Sequence, residues 1–175
     1  MEKTRKLIFM ALLVSSGLAL HVIESLIPFP IAVPGAKLGL ANIVTLLTLT
    51  IYGFKEGLTV ALLRCVLATL IGGSVSSLIY SISGSFLSLV LMYLAYFYTK
   101  NVFSLIGISI IGAEAHNLAQ ISVASLILQN YGLYVYLPVL LFVGLATGYF
   151  VGLSTYYIKQ VLFKNLQVVE RRESG

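Results

Sequence analysis

Leu78-Ile79-Tyr80-Ser81-Ile82-Ser83-Gly84-Ser85-Phe86-Leu87-Ser88-Leu89-Val90-Leu91-Met92-Tyr93-Leu94-Ala95-Tyr96-Phe97-Tyr98 runs without a single charged side chain. About 20 continuous apolar residues are what an α-helix needs to cross a bilayer, whereas a membrane barrel shows shorter stretches alternating with polar residues. The run therefore reads as a spanning helix. Working outward, five further runs read the same way: Leu7 to Ile27, Leu38 to Tyr52, Leu58 to Ile71, Ser104 to Leu128 and Tyr134 to Leu162. They break at turn-forming clusters: Pro28, Pro30, Pro34 and Gly35; Gly53-Phe54-Lys55-Glu56; Gly72-Gly73-Ser74; Thr99-Lys100-Asn101; and Asn130-Tyr131-Gly132. The second and third runs are short, at roughly 15 residues, and predict helices that dip around a cavity or a thinned membrane.

Composition agrees. The chain has 175 residues, 59% hydrophobic and only 10% charged, with a mean hydropathy of +1.00. A soluble domain carries about a quarter charged residues, so one integral membrane domain over residues 1–175 is expected, ending in a basic cytoplasmic tail over 163–175. The net charge of +5 comes from Lys and Arg at the ends of apolar runs, which fits membrane topology and not a nucleic-acid face. With the N-terminus inside, Lys3, Arg5, Lys6, Lys55, Lys100, Lys159, Lys164, Arg171 and Arg172 fall on the cytoplasmic side and Lys37 alone outside. The positive-inside rule thus predicts an all-α protein with six transmembrane helices and both termini cytoplasmic, in a bacterial plasma membrane. Lys3, Arg5 and Lys6 ahead of Gly17-Leu18-Ala19 also fit a cleaved signal peptide, but the apolar run continues past Ala19 and favours a retained helix.

Small residues mark the packing faces. Gly144, Gly148 and Gly152 form a double GxxxG ladder, read either as packing within the chain or as a homo-oligomer contact. Ser77, Ser81 and Ser85 repeat the spacing, and so do Ala11, Ser15 and Ala19, the latter a candidate docking face for another membrane protein.

Ionisable groups within a span cost about 2.5–3.5 kcal/mol each at the helix centre, so each requires a reason. Arg64 and Glu114 lie mid-span and either pair with each other or serve a ligand. Near Glu114, His116, Asn117 and Gln120 fall within an arc of about 100° on one helix, a polar stripe that must face a cavity or other helices. Asn42, His21 and Glu24 are expected at comparable depth from the outer surface, with Lys37 on the same side. The candidate substrate-binding residues are therefore Lys37, Asn42, Arg64, Glu114, His116, Asn117 and Gln120. Two histidines without HExxH spacing, no GxSxG and no GxxxxGK[ST] leave no metal, nucleophile or NTPase site to nominate. Cys65 is the single cysteine, so no internal disulfide forms.

Pro34-Gly35-Ala36-Lys37-Leu38-Gly39-Leu40-Ala41-Asn42, Arg64, Ser81-Ile82-Ser83-Gly84-Ser85-Phe86-Leu87-Ser88-Leu89 and Gly112-Ala113-Glu114-Ala115-His116-Asn117-Leu118-Ala119-Gln120 together resemble the heptaprenyl diphosphate synthase component I, or Gx transporter, family. That family is similar to the substrate-binding S components of energy-coupling factor (ECF) transporters. The resemblance implies a six-helix S-component-like bundle whose outward pocket is capped by the loop after the first helix. It also implies docking of the first helix, through Ala11 and Ser15, onto an ECF transmembrane subunit served by ATPases. The family label implies a link to polyprenyl diphosphate synthesis, and the family is also associated with quinone- and flavin-linked extracellular electron transfer. Prenyl transfer needs paired carboxylates of the DDxxD type to hold Mg²⁺. All six acidic residues here are Glu and none is Asp, so the chain is not expected to be that catalyst or to carry a cofactor. Two functions remain: a subunit binding a small anionic or amphipathic molecule for uptake, or a non-catalytic partner of a prenyl synthase or quinone-linked enzyme.

Overall fold

The computed structural model describes residues 2–26, 39–72, 74–99 and 102–173, with side chains from Lys3 to Lys164. Within them the chain forms α1 (Glu2–Ser25), α2 (Asn42–Tyr52), α3 (Phe54–Gly72), α4 (Val75–Tyr98), α5 (Leu105–Ile127), a 3₁₀ segment (Tyr131–Tyr136) and α6 (Leu137–Glu173), with no strand among the described residues. Among the same residues, three helical stretches are long and apolar enough to cross a membrane: Lys3–Ser25, Val75–Tyr98 and Tyr131–Lys164.

Local chemistry sets the helix ends. Ser74 caps α4 by accepting from the Ser77 N–H, and Ser104 caps α5 by accepting from Gly107. Gly53, at φ +95°, lets α2 turn into α3 through a single residue, a conformation that L side chains resist. For that reason α3 starts at Phe54, earlier than the expected Leu58. α2 starts at Asn42, later than the expected Leu38, because Gly39 takes φ +80° and its carbonyl accepts the Asn42 N–H in a turn. α6 runs through the predicted tail to Glu173, since no Gly or Pro interrupts residues 153–173. The 3₁₀ segment was unforeseen; it tucks Leu133 into the core beside Tyr80, Ile121 and Leu140.

α5 is clasped between α4 and α6, while α1 rests on α2 and α3. α2 contacts α1, α3, α4 and α6, and all eight residues from Asn42 to Leu49 are buried. A helix buried on every side has no solvent face, so its polar residues Asn42, Thr45 and Thr48 are enclosed with the apolar ones, Thr48 by donating to the Val44 carbonyl of its own helix. Its short reach has a consequence: Gly39 and Asn42 enter the interior of the bundle.

At the opposite end of the bundle Lys6 of α1 is hydrogen-bonded to Glu56 in the first turn of α3, and its ammonium lies 5.5 Å from the centre of the Tyr52 ring. The bond from Lys6 is the main reason the Glu56 carboxyl titrates below its ordinary range. A depressed carboxylate stabilises the fold above its unfolded pKa, and that contribution is lost as pH falls through the folded value. Because Glu56 and Lys6 both keep contact with solvent, the effect is local. Acidification below the usual carboxylate range, or Glu56→Gln, is expected to speed amide exchange in the first turns of α1 while leaving α5 unchanged, and salt is expected to mimic it.

Candidate functional site

The polar centre is built from five segments. α1 contributes His21 and Glu24, the α2 entry Gly39 and Asn42, α3 Arg64, α4 Ser81 and Ser85, and α5 His116 and Gln120; together they line a cavity of about 10 Å³, room for roughly one water. Arg64 is buried and donates from Nη2 to Ser85 Oγ at 2.9 Å. It fits because Gly17 of α1 offers no side chain: a Cβ there would lie 3.0 Å from Arg64 Cδ. Gly84 does the same for α5, since its Cβ would meet His116 Cε1 at 2.7 Å. The Glu24 carboxylate accepts the Gly39 N–H at 2.6 Å and so ties the entry of α2 to the end of α1.

A second cavity of about 10 Å³ shares Gly39 and Asn42 with the first and continues between Ser88 and Met92 of α4, Ser109, Gly112 and Ala113 of α5, and Thr147 and Val151 of α6. Around the two cavities Asn42 Oδ1, Arg64 Nε, Ser88 Oγ, Ser109 Oγ and Gln120 Nε2 are buried with no hydrogen-bond partner among the described residues. Native interiors satisfy nearly all such groups, and each exception calls for an explanation. Wider open grooves of about 340 and 530 Å³ lie at the Lys6–Glu56 end, but among the described residues no orphaned polar atom lines either of them.

Comparison with known families matches residues 13–158 to heptaprenyl diphosphate synthase component I. The chain belongs to that family. In fold, this component I family member is similar to the S component of a bacterial ECF transporter, with a TM-score of 0.67, 20% identity, and coverage of 94% of this chain and 98% of that one. No curated protein matches its sequence. The S-component-like bundle anticipated from the sequence is therefore the fold this family member has, and it is a multi-pass membrane protein.

Of the nominated binding residues, Asn42, Arg64, His116 and Gln120 converge with His21 and Glu24. Asn117 and Glu114 do not join them. Asn117 donates to the Leu140 carbonyl of α6 at 2.8 Å, and a Cβ at Gly144 would lie 2.8 Å from both Asn117 Nδ2 and Glu114 Oε1. Glu114 thus faces α6 and does not pair with Arg64; neither of its carboxylate oxygens has a partner among the described residues. Lys37 lies outside the described residues. Gly144, Gly148 and Gly152 sit against α5 of the same chain: a Cβ at Gly148 would be 2.7 Å from Ile110 Cα, and one at Gly152 would be 2.5 Å from Ile106 Cα. Ala11, Ser15 and Ala19 form an exposed face of α1.

Ser88 and Ser109 were missed as site residues. A signal for Ser109 existed, because Ser109, Gly112, His116 and Gln120 recur at helical spacing on one face of α5.

Proposed function

We propose that this component I family member is the substrate-binding membrane subunit of an ECF-type transporter, taking up a small molecule with an anionic group. One observation carries the reading: buried, partnerless polar atoms gather around the two small cavities inside a bundle with an S-component fold. A bundle with no further task would close over apolar side chains; this one keeps a guanidinium, two imidazoles, two amide side chains and the Glu24 carboxylate, which is engaged by the Gly39 N–H, around one cavity. Arg64 supplies the cation for the anionic group, and Asn42, His116 and Gln120 supply directional hydrogen bonds. Lys37, between α1 and α2 in the sequence, would add a second cation to draw anions. Asn117 ties α6 to α5 behind the site through the Leu140 carbonyl, and Glu114 lies beside the same contact at Gly144.

In this reading six helices span a bacterial plasma membrane, with both termini and the Lys6–Glu56 end in the cytoplasm. The exposed Ala11, Ser15 and Ala19 face would dock an ECF transmembrane subunit with its ATPases. The family description names a synthase component, and with no Asp in the chain that favours a second reading: a non-catalytic membrane partner of a prenyl synthase or a quinone- or flavin-linked enzyme.

Native mass spectrometry of protein purified in mild detergent, together with identification of what copurifies, separates the two. A retained anionic small molecule and an ECF transmembrane subunit are expected. A soluble prenyl synthase or quinone-linked reductase, with an empty bundle, would overturn uptake.

A further inference from the structure

The inner cavity, between Ser88, Ser109 and Thr147, differs in chemistry from the outer one beside Arg64. The outer cavity is lined by charged and ionisable groups, with Arg64, Glu24, His21 and His116 on its walls. Among the described residues, no charged side chain lines the inner one. Its orphaned atoms are Asn42 Oδ1, Ser88 Oγ and Ser109 Oγ, on residues only 5%, 1% and 2% exposed. The two cavities share Gly39 and Asn42, so a thin partition at the entry of α2 separates them. Gly112 bounds the inner space closely, since a Cβ there would lie 3.0 Å from Ser88 Oγ.

We infer that the inner cavity is a second compartment of the same chamber and takes the neutral, hydrogen-bonding end, a hydroxyl, of a molecule whose anionic end lies on Arg64. The inference rests on the uptake reading above and adds the class of substrate to it. Asn42 Oδ1 can only accept, so the entering group must donate, while the Ser88 and Ser109 hydroxyls can donate or accept. A second carboxylate or phosphate would find no cation there. An alkyl end would leave all three oxygens unsatisfied, a cost that a site built to bond a hydroxyl uses to reject analogues lacking it. A molecule reaching both compartments displaces the Gly39–Asn42 partition, which makes the entry of α2 the part that moves on binding.

The probes are straight-chain carboxylates of graded length, each with and without a terminal hydroxyl, titrated into the full-length protein in detergent. At a matching length the hydroxylated acid is expected to bind about tenfold or more tightly than its plain counterpart, and Ser88→Ala and Ser109→Ala are expected to collapse that ratio towards one. Both variants should keep or raise the melting temperature of the ligand-free protein, because each removes an orphaned hydroxyl; a purely structural serine would lower it. Equal binding of the paired acids, as a lone buried water would give, or a preference surviving both substitutions overturns the inner compartment while leaving the Arg64 site standing. Binding of no acid in either series overturns the anion reading itself.

Discussion

Gly152→Leu is expected to yield no stably folded protein, and Gly152→Ala to lower the melting temperature clearly. At this position α6 crosses α5 so closely that even a methyl would lie 2.5 Å from Ile106 Cα and 3.0 Å from the Leu105 carbonyl oxygen. Backbone cannot rotate aside as a side-chain tip can, so the helices must separate along a contact that Gly148 and Gly144 continue. Overpacking of this kind costs about 1–3 kcal/mol, more than the roughly 1 kcal/mol that Ala gains over Gly in helix propensity. Gly72→Ala is the control: a methyl placed there would meet nothing within 4 Å, so that variant should be neutral or slightly stabilised. Thermal unfolding in detergent and the monodispersity of each variant decide the matter; a Gly152→Ala protein as stable as the Gly72→Ala protein would show that α5 and α6 do not approach as described.

Arg64→Ala is the second large effect. The guanidinium keeps its Nε unpaired among the described residues while Nη2 is held by Ser85, so it has bonding capacity left for an anion. A hydrogen bond to a charged group contributes about 1.5–3 kcal/mol, so affinity for any anion that the protein retains should fall by about tenfold or more. Arg64→Lys tests geometry separately from charge. It preserves the cation but loses the planar fork, and partial retention of affinity is expected. Unchanged affinity in Arg64→Ala would remove Arg64 from the site.

The apolar run from Leu78 to Tyr98 was enough to place the chain in a membrane, and the resemblance carried by Arg64 and the Gly112–Gln120 segment pointed to the bundle. Side-chain direction was harder. His116, Asn117 and Gln120 read as one stripe, yet α5 lies between α4 and α6, and an arc of about 100° straddles both neighbours. His116 and Gln120, four residues apart, turn towards the chamber; Asn117 shares its direction with Glu114, three residues earlier, and meets α6. Periodicity fixes which residues share a direction, and only the neighbouring helices decide what lies there. The same limit hid the fate of Arg64 and Glu114, two mid-span charges of opposite sign on helices whose facing sides the sequence does not specify. Helix ends shifted for local reasons, since single glycines at 39 and 53 took left-handed conformations and moved the starts of α2 and α3.

α1 has two opposite obligations. On one side Gly17 lies against the stem of Arg64, and on the other Ala11, Ser15 and Ala19 are bare. Among the described residues the helix is held by α2 and α3, the clasp at Lys6 and the tie from Glu24 to Gly39. A protein gripping the bare side would therefore hold a lever whose inner edge presses on the chamber's cation. Any displacement of that helix would reach two places at once, Arg64 through Gly17 and the α2 entry through the bond from Gly39 to Glu24.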